Sequence, residues 1–182
     1  MKINRLNIGI IIGSTREGRV SPQVGAWVKK NADLRQDANY EIVDIKDYKL
    51  PLLGESDDVS GIKKWNKKLG ELDGFIFIVA EYNHSMTASL KNALDSAKEN
   101  WNNKAAGIVS YGSIGGARAA EHLKGVLGEL QIADVRTQVL LSLFTDFEGG
   151  KTFKPQDLHL ENLKVMLDQV LLWSSALKTV RK

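Results

Sequence analysis

Cysteine is absent from the 182 residues. That excludes disulfide scaffolds, zinc and iron–sulfur centres held by thiolates, and cysteine nucleophiles, and it suits a reducing compartment. Long hydrophobic runs are missing too. The first apolar run, Ile8-Gly9-Ile10-Ile11-Ile12, is far shorter than the roughly 20 residues that span a bilayer. It leads straight into a turn, without the small-residue cleavage site of a signal peptide. Nor does one sign of charge dominate: 25 Lys and Arg stand against 22 Asp and Glu, a formal charge of +3. With no dense basic stripe there is no nucleic-acid footprint, and the small excess favours small anionic ligands. Only three histidines occur, at 84, 122 and 159. None lies three or four residues from another, so no metal site is expected. The expectation is a cytoplasmic protein without membrane or nucleic-acid partners, folded as one domain over 1–182.

Apolar runs of strand length alternate with segments of helical period. The strand candidates are 6–12, 40–45, 75–80, 105–111 and 135–141. The first, third and fourth are almost continuously apolar, as central parallel strands buried on both faces are. Between them run amphipathic stripes. Ser21-Pro22 reads as an N-cap with proline in the first turn, ahead of Val24, Trp27 and Val28. Ile62, Trp65, Leu69 and Leu72 form a second stripe, and Met86, Leu90, Ala93, Leu94 and Ala97 a third. The fourth runs from Ala119 to Leu130, and the fifth from near Pro155 through Leu177. Five such alternations predict an α/β fold, a doubly wound parallel sheet with helices on both faces. The irregular stretch 142–154, with Gly149-Gly150, is expected to be a mobile loop. The third and fifth stripes are wider than one-sided burial needs. Leu171, Leu172 and Trp173 widen the fifth, so a homodimer or homotetramer is expected.

Ligands of open parallel sheets bind beyond the carboxyl ends of the strands, which directs attention to three loops. After the first strand comes Gly13-Ser14-Thr15-Arg16-Glu17-Gly18-Arg19-Val20-Ser21. It has neither the Gly-Lys-Ser/Thr of a Walker loop nor a dinucleotide Gly-x-Gly. Hydroxyls, glycines and two guanidinium groups at the mouth of a helix make a phosphate cradle, favoured here over an ordinary turn with solvated arginines. After the third strand, Glu81-Tyr82-Asn83-His84-Ser85 offers closely spaced amides and an aromatic ring; by composition it is equally a plain turn. After the fourth, Ser113 and the glycines at 112, 115 and 116 allow close backbone approach to a ligand, or make a flexible connector. Neither Ser14 nor Ser85 lies in a Gly-x-Ser-x-Gly elbow, which excludes a hydrolase nucleophile of that kind.

Gly13-Ser14-Thr15-Arg16, then Glu81-Tyr82-Asn83-His84-Ser85 with Ser89-Leu90-Lys91-Asn92-Ala93-Leu94-Asp95, then Ser110-Tyr111-Gly112 with Gly115-Gly116, resemble the NADPH-dependent FMN reductases of the flavodoxin-like superfamily. The likeness covers nearly the whole chain in order, and the second motif is its most specific part. Where the family pattern has two prolines, this chain has Ala80 and Thr87, which removes two fixed φ angles from the flavin loop.

The resemblance implies a five-stranded sheet of order 2-1-3-4-5. It implies FMN as cofactor, with its phosphate on Ser14, Arg16 and Ser21, and Arg19 either helping or standing as a surface charge. Glu81, Tyr82, Asn83 and His84 would line the isoalloxazine, with Ser110, Gly112 and Ser113 closing the other side. NADPH or NADH would be the donor, in a ping-pong cycle that needs no catalytic side chain because the flavin carries the hydride. Quinones, free flavin, azo compounds or metal oxyanions are the implied acceptors. Arg118, after Gly115 and Gly116, is placed to read a nicotinamide 2′-phosphate or else is a solvated helix residue. A flavodoxin-like electron carrier, or an FMN-binding redox sensor, is the competing reading. Carriers of that kind are strongly acidic, against the pI of 9.0 here.

Overall fold

A computed structural model describes residues 5–97 and 99–181. Its central sheet contains β1 (Asn7–Ile12), β2 (Asn39–Asp44), β3 (Gly74–Ala80), β4 (Lys104–Gly112), β5 (Ile132–Asp134) and β6 (Val139–Ser142). All its pairings are parallel, in the order β2-β1-β3-β4-β5, with β6 also on β4. That is the expected flavodoxin-like order. The fifth position differs from expectation. The run expected as one strand over 135–141 begins earlier and is broken into β5 and β6. Val135 donates its N–H to Ala106, and the polar Arg136-Thr137-Gln138 interrupts the ladder before Val139 rejoins β4 beside Val109.

The helices are α1 (Ser21–Asp33), α2 (Ser60–Gly70), α3 (Ala88–Asp95), α4 (Ala117–Glu129) and α5 (Leu158–Lys178). Short 3₁₀ turns occupy Ile45–Tyr48 and Glu99–Trp101. Side chains alternate along a strand, and β3 is buried on both faces. Ile76 and Ile78 face the core under α1 and α5, while Phe75, Phe77 and Val79 face the one under α2, α3 and α4. Continuous apolar character at both parities of β3 follows from this two-sided burial.

The second core is built around aromatic rings. Trp65 and Trp101 are fully buried, with ring centroids 5.8 Å apart in an edge-on arrangement, and Phe75 stands 4.9 Å from Trp101. Both indole N–H groups are spent on α3. Trp65 donates to the Ala93 carbonyl at 2.8 Å and Trp101 to the Leu94 carbonyl at 3.1 Å. A helix of eight residues has little stability of its own; these bonds and the apolar face of Leu90, Ala93 and Leu94 fix it on the sheet.

Three more expectations are corrected. The stretch 142–154 is structured: β7 (Phe147–Glu148) and β8 (Thr152–Phe153) form a hairpin closed at Gly149-Gly150, both at positive φ. Buried Asp146 holds it, accepting from the N–H groups of Ser142 and Gln156 and meeting His159 Nε2 at 2.9 Å. The third stripe is covered within the chain, since Met86, Leu90, Ala93, Leu94 and Ala97 are all buried. The fifth is not: Leu172 is 68% and Trp173 44% exposed on the outer face of α5. Finally, Ser21 is the first residue of α1 and Val20 its N-cap, with no side-chain cap bond.

Lys104 opens β4 as a buried cation. Its Nζ donates to the Leu69 carbonyl at 2.7 Å, near the end of α2, and lies 5.4 Å from the centre of the Phe75 ring. Burial, helped by the charge of Arg181 and opposed by Asp73, pushes the ammonium down to about 8 from an ordinary 10.5. Below about pH 8 the folded and unfolded chains both hold this proton. Between about 8 and 10.5 only the unfolded chain holds it, so stability rises with pH across that window. We expect Lys104→Met to remove that gain, about 2 kcal/mol between roughly pH 7.5 and 9.5. Urea unfolding of both proteins at the two pH values checks this; equal slopes would show that Lys104 does not titrate there.

Candidate functional site

Strand pairing brings the carboxyl ends of β1, β3 and β4 together. The Gly13 N–H donates to Ile78 at 3.1 Å, and the Glu81 N–H to Tyr111 at 2.9 Å, so each loop leaves its strand tied to a neighbour. A Cβ on Gly13 would lie 2.7 Å from the Ile78 carbonyl oxygen, hence the glycine. From Ser14 to Gly18 no backbone N–H donates to a protein group among the described residues. Ser14 itself is buried, and Arg16 is exposed, its Nη1 resting on the Glu17 carbonyl at 2.9 Å.

Arg19 is no surface charge. It grips the Asp44 carboxylate with two bonds, at 2.7 and 2.6 Å, and also donates to the Ser14 carbonyl. This bidentate pair raises the guanidinium further above its ordinary value, against the opposing effect of burial. Its role is to tie the loop to the end of β2. Ser21 lies at the opening of α1 with its Oγ buried and in no hydrogen bond of good geometry; burial pushes the neighbouring Tyr111 phenol up to about 12, which its contact with Ser21 partly opposes.

Opposite this loop, Tyr82 and Ser85 exchange backbone hydrogen bonds at 2.8 Å in each direction. Asn83 and His84 between them have φ of +46° and +68°, a two-residue reverse turn of the kind that requires positive φ at both central positions. The turn holds the Tyr82 ring out, 44% exposed. Thr87, at one of the two missing prolines, caps α3 by accepting from the Leu90 N–H at 3.1 Å, and its hydroxyl donates to the Gly13 carbonyl. Ser89 reaches the same carbonyl at 3.2 Å. Two hydroxyls thus replace a fixed φ in joining α3 to the phosphate-type loop.

Between these walls lies a cleft of about 460 Å³ lined by Ser14, Thr15, Arg16, Tyr82, Asn83 and residues 86–89. A second hollow of about 320 Å³ continues from Thr15, Ala88 and Ser89 to Lys46, Leu50 and Leu52. Asn92 supports that wall, donating to the Pro51 carbonyl at 2.8 Å and accepting from the Leu53 N–H at 3.0 Å. In the sequence neither Ala88 nor the 50–53 loop stands out, Met86 appears only in a helical stripe, and Thr87 only as a lost proline. The Thr87 N-cap signal was legible in the chain; the 50–53 loop joins the cleft only through tertiary contact.

Ser110 and Gly112 at the end of β4, and the residues after it, line neither hollow. Ser110 is buried with its hydroxyl on the Gly115 carbonyl at 2.8 Å. Gly112 and Gly116 pack against each other; a Cβ on Gly116, at φ +72°, would lie 2.7 Å from the Tyr111 nitrogen. Gly115 is pressed on Leu140, and Ser113 is exposed. These glycines serve the close packing of the loop. Glu81, its side chain 5% exposed, pairs with Arg118, and Arg118 Nη1 meets His84 Nε2 at 2.9 Å. The Arg118 guanidinium is therefore partly exposed but not free, being paired with both Glu81 and His84.

A doubly wound sheet of this order with an unspent row of N–H groups after β1 and an open cleft at the strand ends defines a flavodoxin-like fold. Residues 6–146 match the family model described as NADPH-dependent FMN reductase, and the chain belongs to that family. An NAD(P)H-dependent FMN reductase of Schizosaccharomyces pombe is 36% identical over 146 residues, covering 75% of this chain and 73% of that one. A 2-hydroxy-1,4-benzoquinone reductase of a Burkholderia species is 33% identical over 137 residues, 70% of this chain and 73% of that one. The structure of FerB, an NAD(P)H:acceptor oxidoreductase from Paracoccus denitrificans, superposes with a TM-score of 0.76 over 94% of this chain and 98% of its own, at 19% identity. The chain is an FMN-dependent NAD(P)H oxidoreductase.

The double use of Thr87 makes it the most sensitive joint of the cleft. Thr87→Val keeps its shape but loses the cap and the bond to Gly13, and should cost about 2 kcal/mol in urea unfolding. Thr87→Ser should retain most of that stability. Equal stabilities for the two variants would show that the hydroxyl does not join α3 to β1.

Proposed function

We propose that the cleft between the 13–21 loop and the 82–85 turn holds FMN, and that NAD(P)H and a quinone-class acceptor use its open face in turn. The carrying observation is the row of unspent N–H groups from Ser14 to Gly18, with the buried Ser21 hydroxyl, in no well-formed hydrogen bond, at the start of α1. An anionic phosphate satisfies such donors, and the field at the start of α1 adds to its binding. The donor set therefore fits the terminal phosphate of FMN, with Ser14, Arg16 and Ser21 as its holders. Arg16 brings charge to the cleft, while Arg19 keeps the loop in place through Asp44.

Tyr82, Asn83 and the opening of α3 would flank the ring system, which leaves Glu81, His84, Ser110, Gly112 and Ser113 to support the walls from behind. Bound FMN supplies the hydride chemistry, for which no side chain here is suited. The chain's own part is to orient the cofactor and to offer N–H groups that favour negative charge. A quinone acceptor is supported by the similarity to the Burkholderia benzoquinone reductase.

The reading includes action as one domain over 1–182, a cytoplasmic location, and a homodimer or homotetramer. Among the described residues no helix is long and apolar enough to cross a membrane. The exposed Leu172 and Trp173 on α5 support assembly. With Arg118 engaged by Glu81, a preference for NADPH over NADH through that residue is not part of the reading.

Two measurements test it. Purified protein should take up FMN in preference to FAD, and should oxidise NAD(P)H faster when a benzoquinone is added. FMN uptake without NAD(P)H oxidation would make the protein a carrier or sensor. Arg16→Ala should weaken FMN binding by about 1.5–3 kcal/mol, the worth of a charge-assisted hydrogen bond, as read by flavin fluorescence titration. An unchanged affinity would remove Arg16 from the phosphate site.

A further inference from the structure

We propose that Arg118 is a positioning residue for the flavin turn, acting through His84, and that the protein's own contribution to the acid sensitivity of FMN binding runs through His84. The proposal rests on the cleft being the FMN site. The turn Tyr82–Ser85 carries two non-glycine residues at positive φ, a backbone conformation that Asn tolerates and that is unfavourable for His. Neighbouring contacts must hold such a turn. They come from one face of α4, where Arg118 and His122 stand one helical turn apart.

Arg118 donates from Nε to Glu81 Oε1 at 2.6 Å and from Nη1 to His84 Nε2 at 2.9 Å. His122 Nδ1 lies 3.2 Å from Ser85 Oγ. A guanidinium can only donate. His84 Nε2 must therefore accept, which places the ring proton on Nδ1 and keeps the imidazole neutral. A proton on Nε2 abolishes that bond and sets a second cation against the guanidinium. Of the two partners of Arg118, His84 is the one that yields. The Glu81 side chain is buried, its second oxygen Oε2 has no partner, and a buried carboxylate stripped of its cation is strongly unfavourable.

His122 is different, because a serine hydroxyl serves as donor or acceptor as required, so the contact with Ser85 survives protonation. The charged and titratable groups around His84 are Arg118 and His122 from α4, Glu81 from the end of β3, Tyr82 on its own turn and Arg16 across the cleft. Among the described residues, only Arg118 hydrogen-bonds the ring. Acid therefore frees the turn from Arg118, and the Tyr82 and Asn83 wall of the cleft loses its support.

The test is FMN affinity by fluorescence titration at about pH 7.5 and 5.5, a range centred on imidazole titration. The wild type, His84→Gln, His122→Gln and Arg118→Met are compared. The FMN phosphate itself titrates in this range and affects all four proteins alike, so the differences between them carry the result. Glutamine at 84 offers an acceptor that does not titrate. We expect the wild type and His122→Gln to lose about tenfold more affinity on acidification than His84→Gln, the worth of one charge-assisted bond. Arg118→Met should bind more weakly at pH 7.5 and show the flattened profile of His84→Gln. Identical profiles for the wild type and His84→Gln, or flattening in His122→Gln alone, would overturn the proposal. Should none of the proteins bind FMN at pH 7.5, the assignment of the cleft fails instead.

Discussion

The parallel pairing of β3 with β1 on one side and β4 on the other sets Ile12 beside Ile78 and Ala80 beside Tyr111. Three chain segments therefore leave the sheet at almost one level, and the space above them is the cleft. Nothing at the site is independent of that register. A slip of one residue would exchange the faces of Ile76 and Ile78 with those of Phe77 and Val79, each buried in a different core. The cost of burying those side chains wrongly is what keeps the loops opposed, so the geometry for ligand binding is set by packing far below it.

Electrostatic complementarity is arranged on top of this frame by assigning cations to carboxylates. Arg19 is committed to Asp44, and Arg118 to Glu81. Both pairs join a loop at the site to an element that the sheet or a helix holds firmly. Arg16 has no carboxylate partner among the described residues, and it faces the cleft. A bidentate or buried pair is geometrically specific, whereas an exposed arginine is available to a ligand. Arg19 and Arg118 are thus committed to fixing structure, while Arg16 carries no such commitment among the described residues.

This separation also explains what was legible in the sequence. β1, β3 and β4 stand out because two-sided burial leaves them almost continuously apolar, with Asn7 in β1 and Lys104 and Ser110 in β4 as the polar exceptions, and the stripes of α1, α2 and α4 repeat at the helical period. The fifth strand misled because Val135 and Val139 look continuous although Arg136-Thr137-Gln138 cannot keep the ladder between them. The hairpin at 147–153 looked like loose chain because its anchor, Asp146, reads as an ordinary loop residue until Ser142, Gln156 and His159 gather round it. At the site, composition singled out three loops that the register of β1, β3 and β4 brings to one end of the sheet, yet the loop after β4 lines neither hollow, and composition did not show the partners within the loops. Arg19 with Asp44, Arg118 with Glu81 and Thr87 with Gly13 are 25, 37 and 74 residues apart. Local propensity carries no information over such separations.

The two absent prolines illustrate how one constraint can be met by different means. Proline would limit the unfolded ensemble through a fixed φ, and it would bring no donor to the folded state. Threonine at 87 instead supplies a helix cap and a hydrogen bond to the first residue beyond β1. The helix it caps is gripped at its other end by the indole N–H groups of Trp65 and Trp101. Rigidity at the cleft wall thereby comes from contacts made in the folded protein, and it is tied to the core beneath α3. A loop stiffened by proline keeps its shape regardless of its surroundings. This one keeps its shape only while α3, β1 and the aromatic cluster stay packed together, so the order of the site and the integrity of the second core are a single property.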